Sequence, residues 1–198
     1  MFLVVGLGNP GRQYQGNRHN VGFRIVDQLA ARAGASSPRD KYGAELFEIA
    51  LGGERVLLCK PMEFMNVSGQ AVRQVAGFHK IPAARTIVVH DELDVPFGRL
   101  KLGTGGGPGG HNGVRSIIAD LGTPDFIRVR VGIDRPPPNW KGADYVLANF
   151  TGAEQKELPA LIDLAADAVA DIVERGLPAA MNKFNQKPKA AKTAEGDA

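Results

Sequence analysis

Short apolar runs alternate along this chain with segments of helical periodicity, and this alternation restricts the possible folds more than any other feature. Phe2–Val5 and Thr86–His90 have the length and β-branched content of buried strands. Between them, apolar residues four positions apart from Val21 to Leu29 predict a helix that stops at Gly34. Because interleaved strands and helices favour a sheet covered by helices, the sequence predicts an α/β fold with a mixed β-sheet.

Turn and capping signals predict the remaining elements. Thr151 and Glu154 form a capping box that opens a helix ending at Gly176. Ser68 is expected to cap a helix that runs to about Lys80. Further strands are predicted at Glu45–Leu51, Arg55–Lys60, Arg99–Leu102, Tyr145–Leu147 and Arg128–Ile133, the last of them half-buried because Arg and Val alternate in it.

The length of 198 residues suits a single domain with a well-buried core. We assign this domain to residues 1–185. From residue 186 the chain is too poor in large apolar groups to pack, and we predict a disordered basic tail over 186–198.

Cys59, the single cysteine, lies in an apolar run and is expected to be a buried thiol. No apolar stretch approaches the roughly 20 residues that span a bilayer, and no secretion signal is evident, so we predict a cytoplasmic protein without a membrane partner.

The net charge of +3 points only weakly to nucleic acid, but its distribution along the chain is informative. Residues 154–175 hold six acids and two bases. The glycine-rich segments, in contrast, contain basic residues without any acid, so a polyanionic partner is expected to meet these loops. The bases concerned are Arg12, Arg18, Arg24, Arg99, Lys101 and Arg115.

The first glycine-rich segment, Gly6–Gly11, fits the pattern G-x-G-x-x-G of dinucleotide-binding proteins. Its context argues against a nicotinamide or flavin site. Pro10 removes one backbone donor, regular helix begins only near Val21, and Asp27 falls inside that helix. The second segment, Gly103–Gly110, lacks the ending of a phosphate-binding P-loop, and we interpret it as a mobile rim that a large substrate can approach closely.

His19 is the candidate general base, because it lies at a loop–helix junction and a neutral imidazole can take a proton near pH 7. Asp91 follows an apolar strand, at a position where α/β proteins commonly build sites. Asn9, Asn66 and Asn112 occupy three separate turns, and their amides suit a peptide backbone or a developing oxyanion. The other histidines are expected to be structural or surface groups (His79 and His90) or to support a turn (His111).

No metal-binding motif and no Gly-x-Ser-x-Gly elbow occur in the sequence. The chemistry that is left is a water molecule activated by histidine, and we predict an enzyme without a metal or a cofactor.

Several blocks of the sequence resemble, in the same order, the recognition blocks of the bacterial peptidyl-tRNA hydrolase family. The similarity covers roughly residues 1–185, and ordered multi-residue blocks are far more specific than any single motif. The blocks are 4–11 (VVGLGNPG) with Tyr14, 17–22 (NRHNVG), Lys60-Pro61 with 64–69 (FMNVSG), 90–94 (HDELD), and 105–107 (GGG) with 109–113 (GGHNG).

The resemblance implies a monomeric α/β fold with a twisted mixed sheet flanked by helices. It also implies the reaction, which is hydrolysis of the ester between a peptide and the 3′ end of tRNA, so that tRNA is recycled from prematurely released peptidyl-tRNA. In this family pattern, His19 resembles the catalytic base, Asp91 the carboxylate that orients it, and Asn9 the amide that holds the water or the carbonyl.

The remaining matching positions resemble substrate-binding residues. Asn66 and Asn112 correspond to residues that bind the peptide main chain, and Lys101 and Arg130 to residues that clamp tRNA phosphate. Tyr14, Phe64 and Met65 correspond to pocket-lining neighbours.

Two positions depart from the family pattern. Glu63 stands where a small hydroxyl residue is frequent, and Pro108 where histidine is common. We expect Glu63 to add negative charge at the cleft rim and Pro108 to stiffen the glycine loop. These departures concern the reaction rate and the motion of the loop, but not the class of reaction. A non-catalytic RNA-binding module with the same surface remains the alternative.

Overall fold

The computed structural model describes residues 1–186, which are built around a seven-stranded β-sheet. Across the sheet the strands are ordered β2-β3-β4-β1-β5-β7-β6. The four central strands are parallel, whereas the strands at both sides pair antiparallel with their neighbours, so the sheet is mixed as predicted. The strands are β1 (Phe2–Gly6), β2 (Arg39–Lys41), β3 (Ala44–Leu51), β4 (Glu54–Pro61), β5 (Thr86–Glu92), β6 (Leu100–Thr104) and β7 (Ile127–Gly132).

Helices cover both faces of the sheet. Alternate side chains of β1 enter two separate cores: Val4 packs with residues of α1 and α5, and Leu3 and Val5 pack with residues of α2 and α3. Within residues 1–186, no helix is both long enough and apolar enough to cross a bilayer. The helices are α1 (Val21–Arg32), α2 (Ser68–His79), α3 (Asn112–Leu121), α4 (Gly142–Val146), α5 (Gly152–Arg175) and α6 (Leu177–Phe184).

The position of the site follows from the order of the central strands. Strands β1 and β5 are parallel neighbours, so their carboxyl ends lie at the same edge of the sheet. The chain leaves β1 towards the β4 side and leaves β5 towards the β7 side. Connections that diverge in this way open a crevice at the strand ends, which is where open α/β sheets bind ligands.

Helix α1 crosses the end of β1 with the two backbones in contact, and this explains why Gly6 and Gly22 are glycines. A Cβ on Gly22 would lie 2.4 Å from the Leu7 nitrogen and 2.5 Å from the Val89 oxygen, and a Cβ on Gly6 would lie 2.3 Å from the Gly22 oxygen. These glycines serve the packing of α1. Since that helix begins at Val21 and not in the loop, the features of a dinucleotide site are missing.

Most of the predicted elements are confirmed to within about two residues, including the hairpin of β3 and β4 and the capping box of Thr151 and Glu154. The strand predicted at Tyr145–Leu147 is wrong. Tyr145 belongs to helix α4 and is buried, with its hydroxyl donating to the Ile133 carbonyl at 2.7 Å. Helix α6 was not predicted.

Two further predictions need correction. Ser68 does not cap α2, because Val67 is the N-cap residue and the Ser68 hydroxyl donates to the Met65 carbonyl instead. Strand β7 is not half-buried, since five of its six residues, Arg128 among them, are buried. The predicted tail falls almost wholly on residues 187–198, which lie outside the described part of the chain.

Candidate active site

A cleft of about 530 Å³ opens at the carboxyl edge of the sheet, beside the ends of β1 and β5. The loop after β1, the end of β5, the turn before α2, the start of α3 and helix α4 all contribute to its walls. Most of the predicted site residues meet there, although they are distant in sequence. These residues are Asn9, His19, Phe64, Met65, Asn66, Asp91 and Asn112.

His19 lies in a 3₁₀ turn, Arg18–Asn20, that leads directly into α1. Asn20 ties this turn to the loop after β1, because its side-chain amide donates to the Asn9 carbonyl at 2.8 Å and its side-chain oxygen accepts from the Asn9 N–H at 2.9 Å. The two loops that carry His19 and Asn9 are therefore held together as one unit.

Arg18 anchors the same turn from the other side. Its guanidinium donates to the Asn149 carbonyl at 2.8 Å, pairs with Glu154 at 2.7 Å and lies over the Tyr145 ring. Only 3% of Arg18 is exposed. The expectation that Arg18 belongs to the basic surface of the loops is therefore wrong, since its charge is used inside the protein.

Asp91, 72 positions after His19, meets it in the cleft: both carboxylate oxygens lie 2.9 Å from His19 Nδ1. Burial opposes the charge of Asp91, but the adjacent His19 and His111 hold the pKa of this carboxyl well below its usual range. Asp91 is therefore an ionised acceptor, so His19 Nδ1 donates. The lone pair of His19 is then on Nε2, which is the state that a general base requires.

Asn9 is fixed by its own hydrogen bonds. Its side-chain oxygen accepts from the Met65 backbone N–H at 2.8 Å, which joins the loop after β1 to the turn before α2. This bond fixes which end of the Asn9 amide is the oxygen, so the other end is the donor Nδ2. Within the described chain, Nδ2 has no protein partner. Asn9 can thus present an N–H to a carbonyl or an oxyanion in the cleft.

The peptide-binding candidates form the rim of the cleft. Asn66 and Asn112 are exposed there, and the Asn112 side-chain oxygen accepts from Arg115 at 2.8 Å, which leaves its amide N–H groups available. Phe64 is 59% exposed and offers an aromatic face, whereas Met65 is buried and forms part of the cleft wall. Amide donors and apolar surface thus lie side by side at this rim.

His111 is a site residue that the sequence reasoning missed. Its Nε2 lies 3.0 Å from Asp91 Oδ1, and its Nδ1 accepts from the Val114 N–H at the start of α3. The ring is placed by a tight turn in which the His111 N–H donates to the Pro108 carbonyl and the two central residues, Gly109 and Gly110, have positive φ. The Gly-Gly pair before His111 was the sequence signal for this turn.

His90 is buried behind the site. Its Nδ1 lies 2.7 Å from the Asp91 carbonyl oxygen, and its ring contacts that of His111 edge to face. Burial lowers the pKa of His90 to about 3. His90 is therefore a neutral structural group, as expected from the sequence.

One residue of the family pattern, Tyr14, and one that departs from it, Glu63, lie outside the cleft wall. Tyr14 is half-buried in the 3₁₀ turn Arg12–Tyr14 and is not among the lining residues, so its role as a pocket neighbour stays a prediction. Glu63 is exposed and is likewise absent from the lining.

Three groups in the cleft are chemically able to ligate a metal ion. The nearest ring nitrogens of His19 and His111 and a carboxylate oxygen of Asp91 lie within 4.8 Å of one another. In the structure each imidazole is hydrogen-bonded to the Asp91 carboxylate, His19 Nδ1 at 2.9 Å and His111 Nε2 at 3.0 Å. That the reaction needs no metal stays a prediction.

A second cavity, of about 240 Å³, adjoins the cleft, and Glu92 and Gly109 line both. Lys101 and Arg130 line it from directly opposed positions in the antiparallel pair β6–β7. Arg128 lies deeper, and its guanidinium donates to the Gly106 and Gly107 carbonyls at 2.6 Å each, so that it fastens the glycine loop to the sheet. The second cavity thus combines two cationic side chains that have no salt-bridge partner within residues 1–186 with a loop that Arg128 fastens to the sheet.

Comparison with known proteins gives one consistent result. Residues 3–193 match the family model described as peptidyl-tRNA hydrolase. The chain is 52% identical to the peptidyl-tRNA hydrolase of Frankia alni, over 93% of both chains, and 53% identical to that of Pseudarthrobacter chlorophenolicus, over 93% of this chain and 95% of the relative. Among solved structures, peptidyl-tRNA hydrolase from Acinetobacter baumannii superposes with a TM-score of 0.87 at 39% identity, covering 93% of this chain and 94% of that chain.

Proposed function

Because this chain belongs to the peptidyl-tRNA hydrolase family, we propose that its cleft hydrolyses the ester between a peptide, or an N-blocked amino acid, and the 3′ end of tRNA. The reaction releases a free peptide and a tRNA that can be charged again. The observation that carries this proposal is the hydrogen-bonded pair of His19 and Asp91 at the base of a cleft rimmed by amides.

In the proposed reaction, His19 Nε2 takes a proton from water while the water oxygen attacks the ester carbonyl. Asp91 orients the ring through Nδ1 and stabilises its positive form. Asn9 donates Nδ2–H to the oxyanion of the tetrahedral intermediate. When this intermediate collapses, the imidazolium returns the proton to the departing ribose oxygen, which leaves a carboxylic acid and the 3′ hydroxyl of tRNA.

The rim supports selection of N-blocked substrates. Asn66 and Asn112 are exposed beside the reacting centre and have donors that can bind the main-chain carbonyl of the preceding peptide unit. A free aminoacyl-tRNA lacks that carbonyl and carries a positive amine in its place. It should therefore be a poor substrate, because the amides of the rim would remain unpaired.

The second cavity supports the tRNA clamp. Lys101 and Arg130 present two cations from adjacent strands, next to the cleft in which the 3′ end would react. Like charges on opposed positions repel each other, and a bound phosphate relieves that repulsion. We assign these two residues to a phosphate of the tRNA acceptor region.

We further propose that the enzyme acts as a monomer in the cytoplasm, where its substrate is produced. The residues that line the cleft, from Asn9 to Leu147, come from several elements of a single chain, which supports a site formed within one protomer. Sedimentation equilibrium at assay concentration should give a mass near 21.1 kDa, and a mass twice as large would contradict the monomer.

The function is tested by incubating the protein with N-acetyl-aminoacyl-tRNA in an excess of a metal chelator. We expect release of the N-acetyl amino acid, and much slower release from the unblocked aminoacyl-tRNA. Retained tRNA binding without release would indicate an RNA-binding module. Release that stops with chelator and returns with a divalent metal ion would indicate that His19, Asp91 and His111 act as metal ligands.

A further inference from the structure

Asp91 is bonded to two imidazoles, and the proposed reaction employs only one of them. His19 Nδ1 lies 2.9 Å from the carboxylate, and His111 Nε2 lies 3.0 Å from it. The His111 side chain is 8% exposed, and its ring lies 4.7 Å from the ring of His19. Because an ionised carboxylate only accepts, each ring must carry a proton on the nitrogen that faces Asp91.

The fold fixes which proton His111 carries. Its other nitrogen, Nδ1, accepts a hydrogen bond from the Val114 N–H and so caps α3. A nitrogen that accepts cannot also carry a proton, so the ring is the neutral Nε2–H form. Protonation of Nδ1 would break the cap and bring two N–H groups against each other. His111 is thus built as a neutral donor to Asp91.

We propose that His111 is a positioning residue of the reaction, whose neutral Nε2–H fixes the Asp91 carboxylate against His19 and shares its negative charge. This inference rests on the proposed function and deepens it. With one oxygen bonded to His111, the carboxylate plane cannot rotate, and both oxygens stay equidistant from His19 Nδ1. Sharing the charge also weakens the attraction of Asp91 for a second proton on His19.

The substitution His111→Asn tests the positioning of Asp91 separately from the capping of α3. Asparagine is among the best N-cap residues, but its shorter side chain, when it caps α3, does not reach Asp91. We expect kcat to fall about 10- to 100-fold, the usual effect of one hydrogen bond to a charged group, with KM little changed. His79→Asn, the same substitution at the end of α2, is the matched control and should leave the rate unchanged.

The pH profile distinguishes positioning from a purely structural effect. The titratable groups around His111 are His19 from the turn before α1 and His90 and Asp91 from β5. In His111→Asn the acidic limb of kcat/KM should move to higher pH, because Asp91 then attracts a proton on His19 more strongly. When Asp91 is already replaced by Asn, His111→Asn should change kcat much less, because His111 acts on His19 only through the Asp91 carboxylate.

A wild-type kcat and an unmoved pH profile in folded His111→Asn would overturn the inference, as would a change in KM alone. An inactive wild-type protein would contradict the proposed function instead. If the variant does not fold, the ¹⁵N resonances of His111 in the wild-type protein decide. A neutral Nε2–H ring at neutral pH supports the inference, and an Nδ1–H or doubly protonated ring overturns it.

Discussion

At the scale of single residues, the site consists of short polar side chains that fix one another. Asn20 holds Asn9, Asn9 holds the backbone of Met65, and Asp91 holds His19. Asn9 and His19 each use one side-chain atom for these bonds and keep another, Nδ2 of Asn9 and Nε2 of His19, for the substrate. Such pre-organisation means that little reorientation is needed when charge develops on the reacting carbonyl.

The glycines beneath these groups are as specific as the polar residues. Gly22→Ala should lower the free energy of unfolding by at least about 2 kcal/mol, because the new methyl group would meet the backbone of Leu7, just after β1, and of Val89 in β5. Gly77→Ala in α2 is the control, since a Cβ there meets nothing within 4 Å, and it should raise stability by about 0.5–1 kcal/mol. Urea unfolding followed by circular dichroism measures both, and equal effects would contradict this packing.

The positions of several site residues could be predicted from the sequence because they depend on the local chain or on strand ends. Asp91 lies at the end of the buried strand β5 and His19 precedes helix α1, so both were placed at the correct edge of the sheet. The roles of Arg18 and His111 depend on contacts that sequence spacing does not reveal. Arg18 is buried against Glu154, 136 positions away, and His111 reaches Asp91 only because a two-glycine turn directs its ring into the cleft.

At the scale of elements, the antiparallel pair β6–β7 determines where charge lies. Its register sets Lys101 opposite Arg130 and Gly103 opposite Arg128. Arg128 is buried and fastens the glycine loop, and this loop leads to the turn that carries His111. The alternation of Arg and Val in β7 was therefore misread as a half-exposed strand, since a buried arginine with carbonyl partners follows the same pattern.

Lys101 and Arg130 on this pair of strands should contribute more to tRNA binding than lysines on the exposed faces of the helices. In Lys101→Ala we expect weaker tRNA binding and a decrease of about 1 in the slope of log affinity against log salt, because one phosphate contact is lost. Lys156→Ala, on the exposed face of α5, provides the control. Filter binding across a salt series makes the comparison, and an unchanged slope in Lys101→Ala would remove this residue from the clamp.

At the scale of the whole molecule, two apolar cores on opposite faces of one sheet support a polar site at its edge. The layered fold could be predicted because strands and helices alternate regularly. Helix α4 could not, because Tyr145 and Val146 are residue types that favour strands and the helix is only five residues long. Its position is set by contacts of Tyr145 with Ile133, just after β7, and with Arg18, which is a tertiary effect.

Burial of His90 makes global stability sensitive to acid. Its pKa of about 3 in the folded protein lies below the ordinary value near 6.5, so the unfolded chain binds the proton more readily between these values. Stability should therefore fall on acidification from about pH 6.5 to pH 3, by up to about 1.4 kcal/mol per pH unit. The depressed pKa of Asp91 acts in the same direction, but only below the ordinary carboxyl range.

His90→Gln, which retains a polar side chain without titrating, should flatten this dependence. Urea unfolding of the wild type and of His90→Gln at a series of pH values measures the pH dependence of the free energy of unfolding. A wild-type free energy of unfolding that stays constant from pH 6.5 to pH 4 would show that His90 is not held neutral by its surroundings.

The central claim is that His19, oriented by Asp91, activates the water that cleaves the ester. Single-turnover cleavage of N-acetyl-aminoacyl-tRNA by His19→Ala, with enzyme in excess, measures this step without product release. We expect the rate constant to fall at least about 100-fold while tRNA affinity and the thermal unfolding midpoint stay near those of the wild type. A single-turnover rate like that of the wild type would contradict the account, because the base would then be another group.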